Sequence, residues 1–202
     1  MNSIPINRTN PCSQYKVIVI SGPSGSGKTT ISKRLVLEVE NLHFITTHTT
    51  RQPRDGEIDG LDYHFVSRDK FLRLKENNFF VENAQVFNHF YGVSYQEIHN
   101  ALKLKKNILL EIDWQGAEQV RKVYSSQCFS VFIQTKNLTE LRKRLIERGK
   151  DSSEVIEKRI EKANFEISKA KKYDLHLVND ALETTFQTIK KAVAEFIGSV
   201  EK

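Results

Sequence analysis

Lys16-Val17-Ile18-Val19-Ile20-Ser21, followed at once by Gly22-Pro23-Ser24-Gly25-Ser26-Gly27-Lys28-Thr29-Thr30, decides how the rest of the chain is read. The first six residues are a short β-branched run of the kind buried on both faces of a parallel sheet. Gly22 to Thr29 fits GxxxxGK(S/T). Thr29 to Glu40 then has Ile31, Leu35 and Val39 at helical spacing. Strand, glycine-rich loop and helix, in that order, form the context in which this motif cradles a triphosphate. The glycines let backbone N–H groups turn inward, and the helix N-terminus adds partial positive charge. Lys28 is expected to reach the β- and γ-phosphates, and Thr29 to offer its hydroxyl to Mg²⁺.

Outward from this loop the pattern keeps alternating. Further strands are predicted at His43 to Thr47, Asn107 to Ile112, Cys128 to Gln134 and Leu175 to Val178. Helices are predicted at Ser67 to Asn77, with Ser67 as its cap, and at Ser94 to Lys105, Leu138 to Arg148 and Ser153 to Lys171. Phe186, Ile189, Val193, Phe196, Ile197 and Val200 make the apolar stripe of a C-terminal helix. Strands alternating with helices predict an α/β fold, a doubly wound parallel sheet with helices on both faces. Arg51 to Tyr91 breaks the rhythm with turn signals at Pro53, Asp55-Gly56 and Asp59-Gly60, and reads as an insertion with its own small structure.

A chain of 202 residues suits one compact domain with small insertions. Hydrophobic residues at 39% and charged residues at 28% exclude a disordered or membrane-embedded class. Apolar runs fall far short of the roughly 20 residues that span a bilayer. Met1 to Tyr15 has no apolar stretch of a secretory signal, and residues 1–14 are expected to form a disordered tail. Two isolated cysteines, Cys12 and Cys128, make neither a disulfide framework nor a CxxC site, which points to a reducing, cytoplasmic setting. The formal charge of +6 suits a nucleic-acid binder and an enzyme for small polyanions equally. Its densest basic stretch, Glu140 to Lys172, holds eleven basic and seven acidic residues.

A phosphate loop needs an acidic partner for its metal. Glu111 and Asp113 stand at the end of the predicted strand Asn107 to Ile112, where parallel sheets bind ligands, and two residues apart on a strand they would share a face. The insertion carries a second set of polar residues. Arg51 and Arg54 flank Pro53 and could clamp one phosphate bidentately, and Tyr63 and Tyr91 could each donate a phenolic hydrogen bond. Glu82 lies in the otherwise apolar Phe79-Phe80-Val81-Glu82-Asn83-Ala84, and a buried acid requires a specific partner. Guanine supplies one, since its N1–H and 2-amino group form a donor pair that adenine lacks. The six histidines show no paired metal-ligand spacing.

In these and the surrounding residues, the chain resembles the guanylate kinases. GPSGSGKTT, HTTRQPRDGEIDGLDYHFVS, FVENAQV, FYGVS, LLEIDWQGAEQVR, RLIERGKDS and VND match that family in order, from about Tyr15 to the C-terminus. The resemblance implies phosphoryl transfer from ATP to GMP with Mg²⁺, in a core of residues 15–46, 94–137 and 173–202. A GMP-binding insertion would occupy 47–93 and a helical lid 138–172. It implies that Arg51, Arg54, Tyr63 and Tyr91 hold the GMP phosphate, with Glu57 among the GMP ligands. Glu82 and Asp113 would read the guanine edge, and Thr47 would lend a hydroxyl. Arg144, Arg148 and Arg159 would be the lid arginines, Asn179 would sit near the adenine, and Glu111 would hold Mg²⁺ through water beside Thr29. Val93 stands where the family usually has Ser or Thr, Glu111 where it usually has Asp, and Thr47 where it usually has Ser; Ser94 is one candidate to replace the hydroxyl missing at Val93.

Other readings keep the same scaffold with a different phosphorylated acceptor, or make the chain a non-catalytic interaction module or a nucleic-acid binder. The intact Gly27-Lys28-Thr29 speaks against the module, and no nucleic-acid motif or membrane span is present in the sequence. Monomer and homodimer are both open.

Overall fold

The computed structural model describes residues 15–149 and 151–198; the expected tail over residues 1–14 lies outside the described residues, as does Val200. In chain order the first elements are β1 (Val17–Ser21), α1 (Lys28–Glu38), β2 (Leu42–Phe44), β3 (His48–Thr49), β4 (His64–Phe65), α2 (Arg68–Glu76), β5 (Phe80–Val86) and β6 (His89–Ser94). They are followed by α3 (Tyr95–Lys103), β7 (Asn107–Glu111), α4 (Trp114–Tyr124), β8 (Cys128–Gln134), α5 (Leu138–Glu147), α6 (Ser153–Ser168), β9 (Leu175–Val178) and α7 (Leu182–Ile197).

Five strands form a parallel sheet in the order β2-β7-β1-β8-β9, with β1 at the centre paired to β7 and β8. The unbroken apolar run of β1 follows from that position, because alternate side chains enter two different cores. Val17 and Val19 join Ile108 and Leu110 against Ile98, Ala101, Ala117 and Val120, from α3 and α4. Ile18 and Ile20 join Leu109, Val131 and Ile133 against Ile31, Leu35, Phe186, Ile189 and Val193, from α1 and α7. Burying each such side chain contributes about 1.5–3 kcal/mol relative to leaving it in water. The doubly wound arrangement expected from the alternating pattern is therefore present.

The second sheet, ordered β4-β3-β6-β5, draws all its strands from residues 48–94. Its own core stacks Phe71 on Phe80 and Phe90, with ring centroids 4.5 and 5.4 Å apart. Across the β3–β4 pair, His48 and His64 face each other with ring centroids 4.5 Å apart, and His48 also packs edge-on to Phe79 and Phe80. These two histidines pack within the insertion. The exposed edge of β5 is closed by α4, since Gln119 exchanges hydrogen bonds with the Asn83 backbone (3.2 and 2.9 Å) and Gln115 Nε2 donates to Gln85 O (3.2 Å). That contact also joins the insertion to the parallel sheet.

Helices α5 and α6 pair through Leu141, Leu145, Ile156, Ile160 and Ala163, with Arg142 and Glu157 bridging them outside. Asn137 and Ser152 cap their N-termini by accepting from Glu140 N and Val155 N.

Several expected bounds shift. The strand predicted at His43 to Thr47 ends at Phe44, because His48 and Thr49 leave for the other sheet. The helix predicted to reach Lys171 stops at Ser168 and gives way to a 3₁₀ turn over Ala170–Lys172. No helix among the described residues is long and apolar enough to cross a membrane.

Candidate active site

A cleft of about 740 Å³ opens at the C-terminal ends of β1 and β7, between the parallel sheet, the insertion and the α5–α6 pair. Its floor is the glycine loop. Gly22, Gly25 and Gly27 have φ of +140°, +94° and +98°, a region closed to most side chains. At Gly22 a Cβ would stand 2.0 Å from Ile133 O, and at Gly27 it would stand 2.4 Å from Asn179 Nδ2, so the loop lies flush on β8 and on the start of the segment after β9. Lys28 Nζ donates to Gly22 O (2.7 Å) and Pro23 O (2.9 Å), curling the loop around its own cation. Burial pushes the Lys28 pKa down, and the carboxylates of Glu111, Glu166 and Asp113 oppose that.

Asn179, expected near the adenine, is not among the residues that line the cleft; it is 3% exposed behind the loop, where its side-chain amide donates to Ser26 O (2.8 Å). Its backbone carbonyl accepts from Arg144 Nη2 (3.0 Å). Its side chain is committed to the loop backbone because Gly27 leaves it the room.

On the side of the insertion, Thr47, Arg51, Arg54, Tyr63, Glu82 and Tyr91 all line the cleft. Arg51 is held from three directions: Nη2 bonds Glu57 Oε1 (2.8 Å), Nη1 bonds Gln52 O (2.7 Å), and the guanidinium lies 5.3 Å from the Tyr63 ring centroid. Glu57, expected as a GMP ligand, stands outside the cleft wall. Its second oxygen accepts from Arg54 N (2.8 Å), so it braces the arginine turn instead.

Glu82 is 2% exposed. Oε1 accepts from Val93 N (3.0 Å), and Oε2 stands where a Cβ on Gly116 would come within 2.3 Å. Burial, with Asp113 adding to it, pushes the Glu82 pKa up to about 8. The Val93 side chain lies in the core with Val17, Val81 and Ile98, so at this position the backbone N–H serves Glu82. Ser94, the candidate to replace a hydroxyl, does not line the cleft, and its Oγ caps α3 by accepting from Glu97 N.

Glu111 and Asp113 both reach the cleft, but not by sharing a strand face. β7 ends at Glu111, and Asp113 is the N-cap of α4, its Oδ1 accepting from Gln115 N (3.0 Å) and Gly116 N (3.1 Å). Asp113 Oδ2 remains turned to Gln115 Nε2 and to Lys162 Nζ, 3.7 Å away. Trp114, at the start of α4, packs edge-on against Phe165 of α6.

The third wall is α5–α6. Arg148 Nη1 and Arg159 Nη1 both donate to Ser24 Oγ (3.4 and 2.8 Å), while their Nη2 atoms share the carboxylate of Asp151. Burial alone would raise the Asp151 pKa, but the hydrogen bond from Arg148 and the two guanidinium charges hold it below the usual carboxylate range. The Nε atoms of Arg148 and Arg159 are buried without a protein partner among the described residues. Such donors suit the oxygens of a phosphate chain. Arg144 pairs with Glu140 (2.9 Å) as an ordinary i,i+4 ion pair.

Thr29 Oγ1 donates to Glu111 Oε1 (2.7 Å), which brings together the two expected Mg²⁺ ligands. No group of three or more His, Cys, Asp or Glu that could hold a metal exists among the described residues. One hydroxyl and one carboxylate fit Mg²⁺, which binds through one or two protein oxygens with waters and phosphates supplying the rest.

Sequence reasoning missed Asp151, Lys162, Glu166 and Phe87, all of which line the cleft. Asp151 lies inside the quoted RLIERGKDS motif. Lys162 and Glu166 follow Arg159 by three and seven positions, one face of a helix, so spacing alone could have found them. Phe87 left no local signal.

The family model described as guanylate kinase matches residues 14–196. A guanylate kinase of Porphyromonas gingivalis is 42% identical over 184 residues, covering 90% of this chain and 98% of that protein. One from Alkalilimnicola ehrlichii is 44% identical over 172 residues, or 85% of this chain and 84% of that one. The crystal structure of guanylate kinase from Anaplasma phagocytophilum matches with a TM-score of 0.74 at 33% identity, covering 91% of this chain and 86% of that chain. Likeness of this extent in both sequence and fold reflects common descent, and the chain is a member of the guanylate kinase family.

Proposed function

We propose that the chain transfers the γ-phosphoryl group of ATP to GMP, and also to dGMP, giving ADP and GDP or dGDP. The observation that carries this reading is Glu82. A carboxylate 2% exposed, with Asp113 beside it, faces the same cleft as a phosphate loop and an arginine pair. A buried acid with one backbone partner has acceptor capacity left over, and the donor pair of guanine matches it.

On this reading, residues 47–93 bind the acceptor, 138–172 form the lid, and the remaining segments bind ATP. Arg51 and Arg54 grip the acceptor phosphate, with Tyr63 and Tyr91 donating phenolic hydrogens and Thr47 its hydroxyl. Lys28 turns from the loop carbonyls to the β- and γ-phosphates, joined by the inward backbone N–H groups of residues 22–30. Arg148 and Arg159 bring charge to the transferring group, and Arg144 steadies the loop through Asn179. Thr29 and Glu111 would hold Mg²⁺, which neutralises phosphate charge when bound. The acceptor phosphate is already ionised, so the chain supplies placement and charge and no general base. The insertion and lid exclude water from the γ-phosphate. Two isolated cysteines and small-molecule substrates support a cytoplasmic setting for the enzyme.

A coupled assay of ATP against GMP, dGMP, AMP, UMP and IMP tests this. Turnover with GMP and dGMP far above the rest is expected. Preference for AMP or UMP would point to another acceptor on the same scaffold and overturn the role of Glu82.

A further inference from the structure

We propose that Phe87, at the tip of the inserted hairpin, is a positioning residue for phosphoryl transfer, its ring seated against the lid cations Arg159 and Lys162 so that they are held over the cleft. This rests on the functional reading above, but it assigns Phe87 no contact with either substrate.

Strands β5 and β6 pair down to Val86 and His89, leaving Phe87 and Asn88 as a two-residue turn. Phe87 has φ of +54°. Turns of this length favour Gly or Asn at positive φ, and a bulky side chain there is an outlier that its surroundings must sustain. Strain of this kind collects where function requires a particular side chain. The turn is braced, since Gln85 Nε2 donates to Phe87 O (3.1 Å) and Gln85 O accepts from Gln115 of α4 (3.2 Å).

The ring gains little from burial. It is 40% exposed and lies outside the aromatic cluster of Phe71, Phe80 and Phe90 that forms the insertion's core. It points instead into the cleft mouth, where the Arg159 guanidinium lies 5.7 Å and Lys162 Nζ 5.0 Å from its centroid. Both distances are those of cation–aromatic attraction. Arg159 also holds Ser24 of the phosphate loop and Asp151. One guanidinium is thus the meeting point of loop, lid and insertion. Since Phe87 belongs to the insertion and the two cations to α6, the contact forms only when both walls are drawn over the cleft. Closure of the acceptor side is thereby coupled to placement of a cation at the transferring phosphate.

The test compares steady-state kinetics with ATP and GMP, and thermal unfolding, for the full-length wild type, Phe87→Gly, Phe87→Asn and Phe87→Tyr. Loss of the ring is expected to lower kcat about 10- to 100-fold, as misplacement of a catalytic group does, with KM for GMP changed less than about threefold. Phe87→Gly and Phe87→Asn should unfold at the same temperature as wild type or higher, because both relieve the positive-φ strain. Phe87→Tyr should return kcat to within about threefold of wild type. Lower activity joined to unchanged or greater stability is a result that a purely structural role does not produce. The proposal is overturned if Phe87→Gly keeps wild-type kcat, if KM for GMP rises while kcat holds, or if the loss of rate accompanies a loss of stability. Wild-type protein that leaves GMP unphosphorylated would instead sink the functional reading itself, before any variant is compared.

Discussion

On the proposed reading, Glu82 must shed a proton before it can serve guanine, and acceptor binding becomes pH-dependent. Its pKa is raised to about 8 in the folded protein because the carboxyl is 2% exposed and Asp113 stands nearby. Guanine presents two donors, so only the carboxylate receives both. Below pH 8 the apparent affinity for GMP falls by the ionised fraction of Glu82. That fraction is roughly 0.03 at pH 6.5 and 0.76 at pH 8.5, a change of about 25-fold, or about 1.9 kcal/mol. This window lies above the second ionisation of the nucleotide phosphate, near about pH 6, so the limb belongs to the protein. Calorimetric titration of GMP at pH 7 in two buffers of different ionisation heat should record release of roughly 0.9 proton per molecule bound. ATP titrated alone should show no such release. Affinity for GMP that stays level from pH 6.5 to 8.5, with no proton released, would refute the placement of the base on Glu82.

Three further outcomes follow from particular contacts. Gly116→Ala sets a Cβ 2.3 Å from Glu82 Oε2 and should raise KM for GMP at least about 10-fold while leaving KM for ATP alone, although Ala is the better helix former; equal KM values for GMP would mean that the carboxylate can move aside freely. Asp151→Asn removes the charge that Arg148 and Arg159 share, and should lower kcat about 10- to 100-fold in the ATP and GMP assay with little change in melting temperature. His48, its pKa pushed down to about 4 by burial with His64 adding to it, stays neutral in the folded chain while the unfolded chain protonates below about 6.5. Stability should therefore be complete above that value and fall by about 1 kcal/mol, allowing for partial exposure, on acidification to pH 5; in His48→Phe the urea midpoint should lose that part of its pH dependence.

Much of this molecule is written locally. The run Val17–Ser21, the strands Cys128–Gln134 and Leu175–Val178 and the start of helix Leu138–Glu147 are legible from hydrophobic period and capping residues, since each depends on its immediate neighbours. The hairpin Phe80–Val86 and His89–Ser94 is not. Its two-residue turn is Phe87-Asn88 where a hairpin signal would be Asn-Gly, its pairing shifts register between Phe80 and Glu82, and a charged residue occupies one of its most buried positions.

The same division runs through the site. Glycines at positive φ, a lysine and a threonine between strand and helix declare a phosphate cradle in one dimension, because backbone geometry and eight consecutive residues make it. What a polar residue does elsewhere depends on the atom it meets from a distant part of the chain. Glu57 turned out to brace arginines, Asn179 to buttress the loop and Asp113 to cap a helix, while Asp151 gathers two guanidinium groups 11 residues apart around one carboxylate. Sequence alone determined the scaffold and the triphosphate loop, since those rest on short-range period and torsion. Only the tertiary structure decided which carboxylates face the cleft and which hold the arginines, because that is settled by desolvation and pairing between segments that folding brings together.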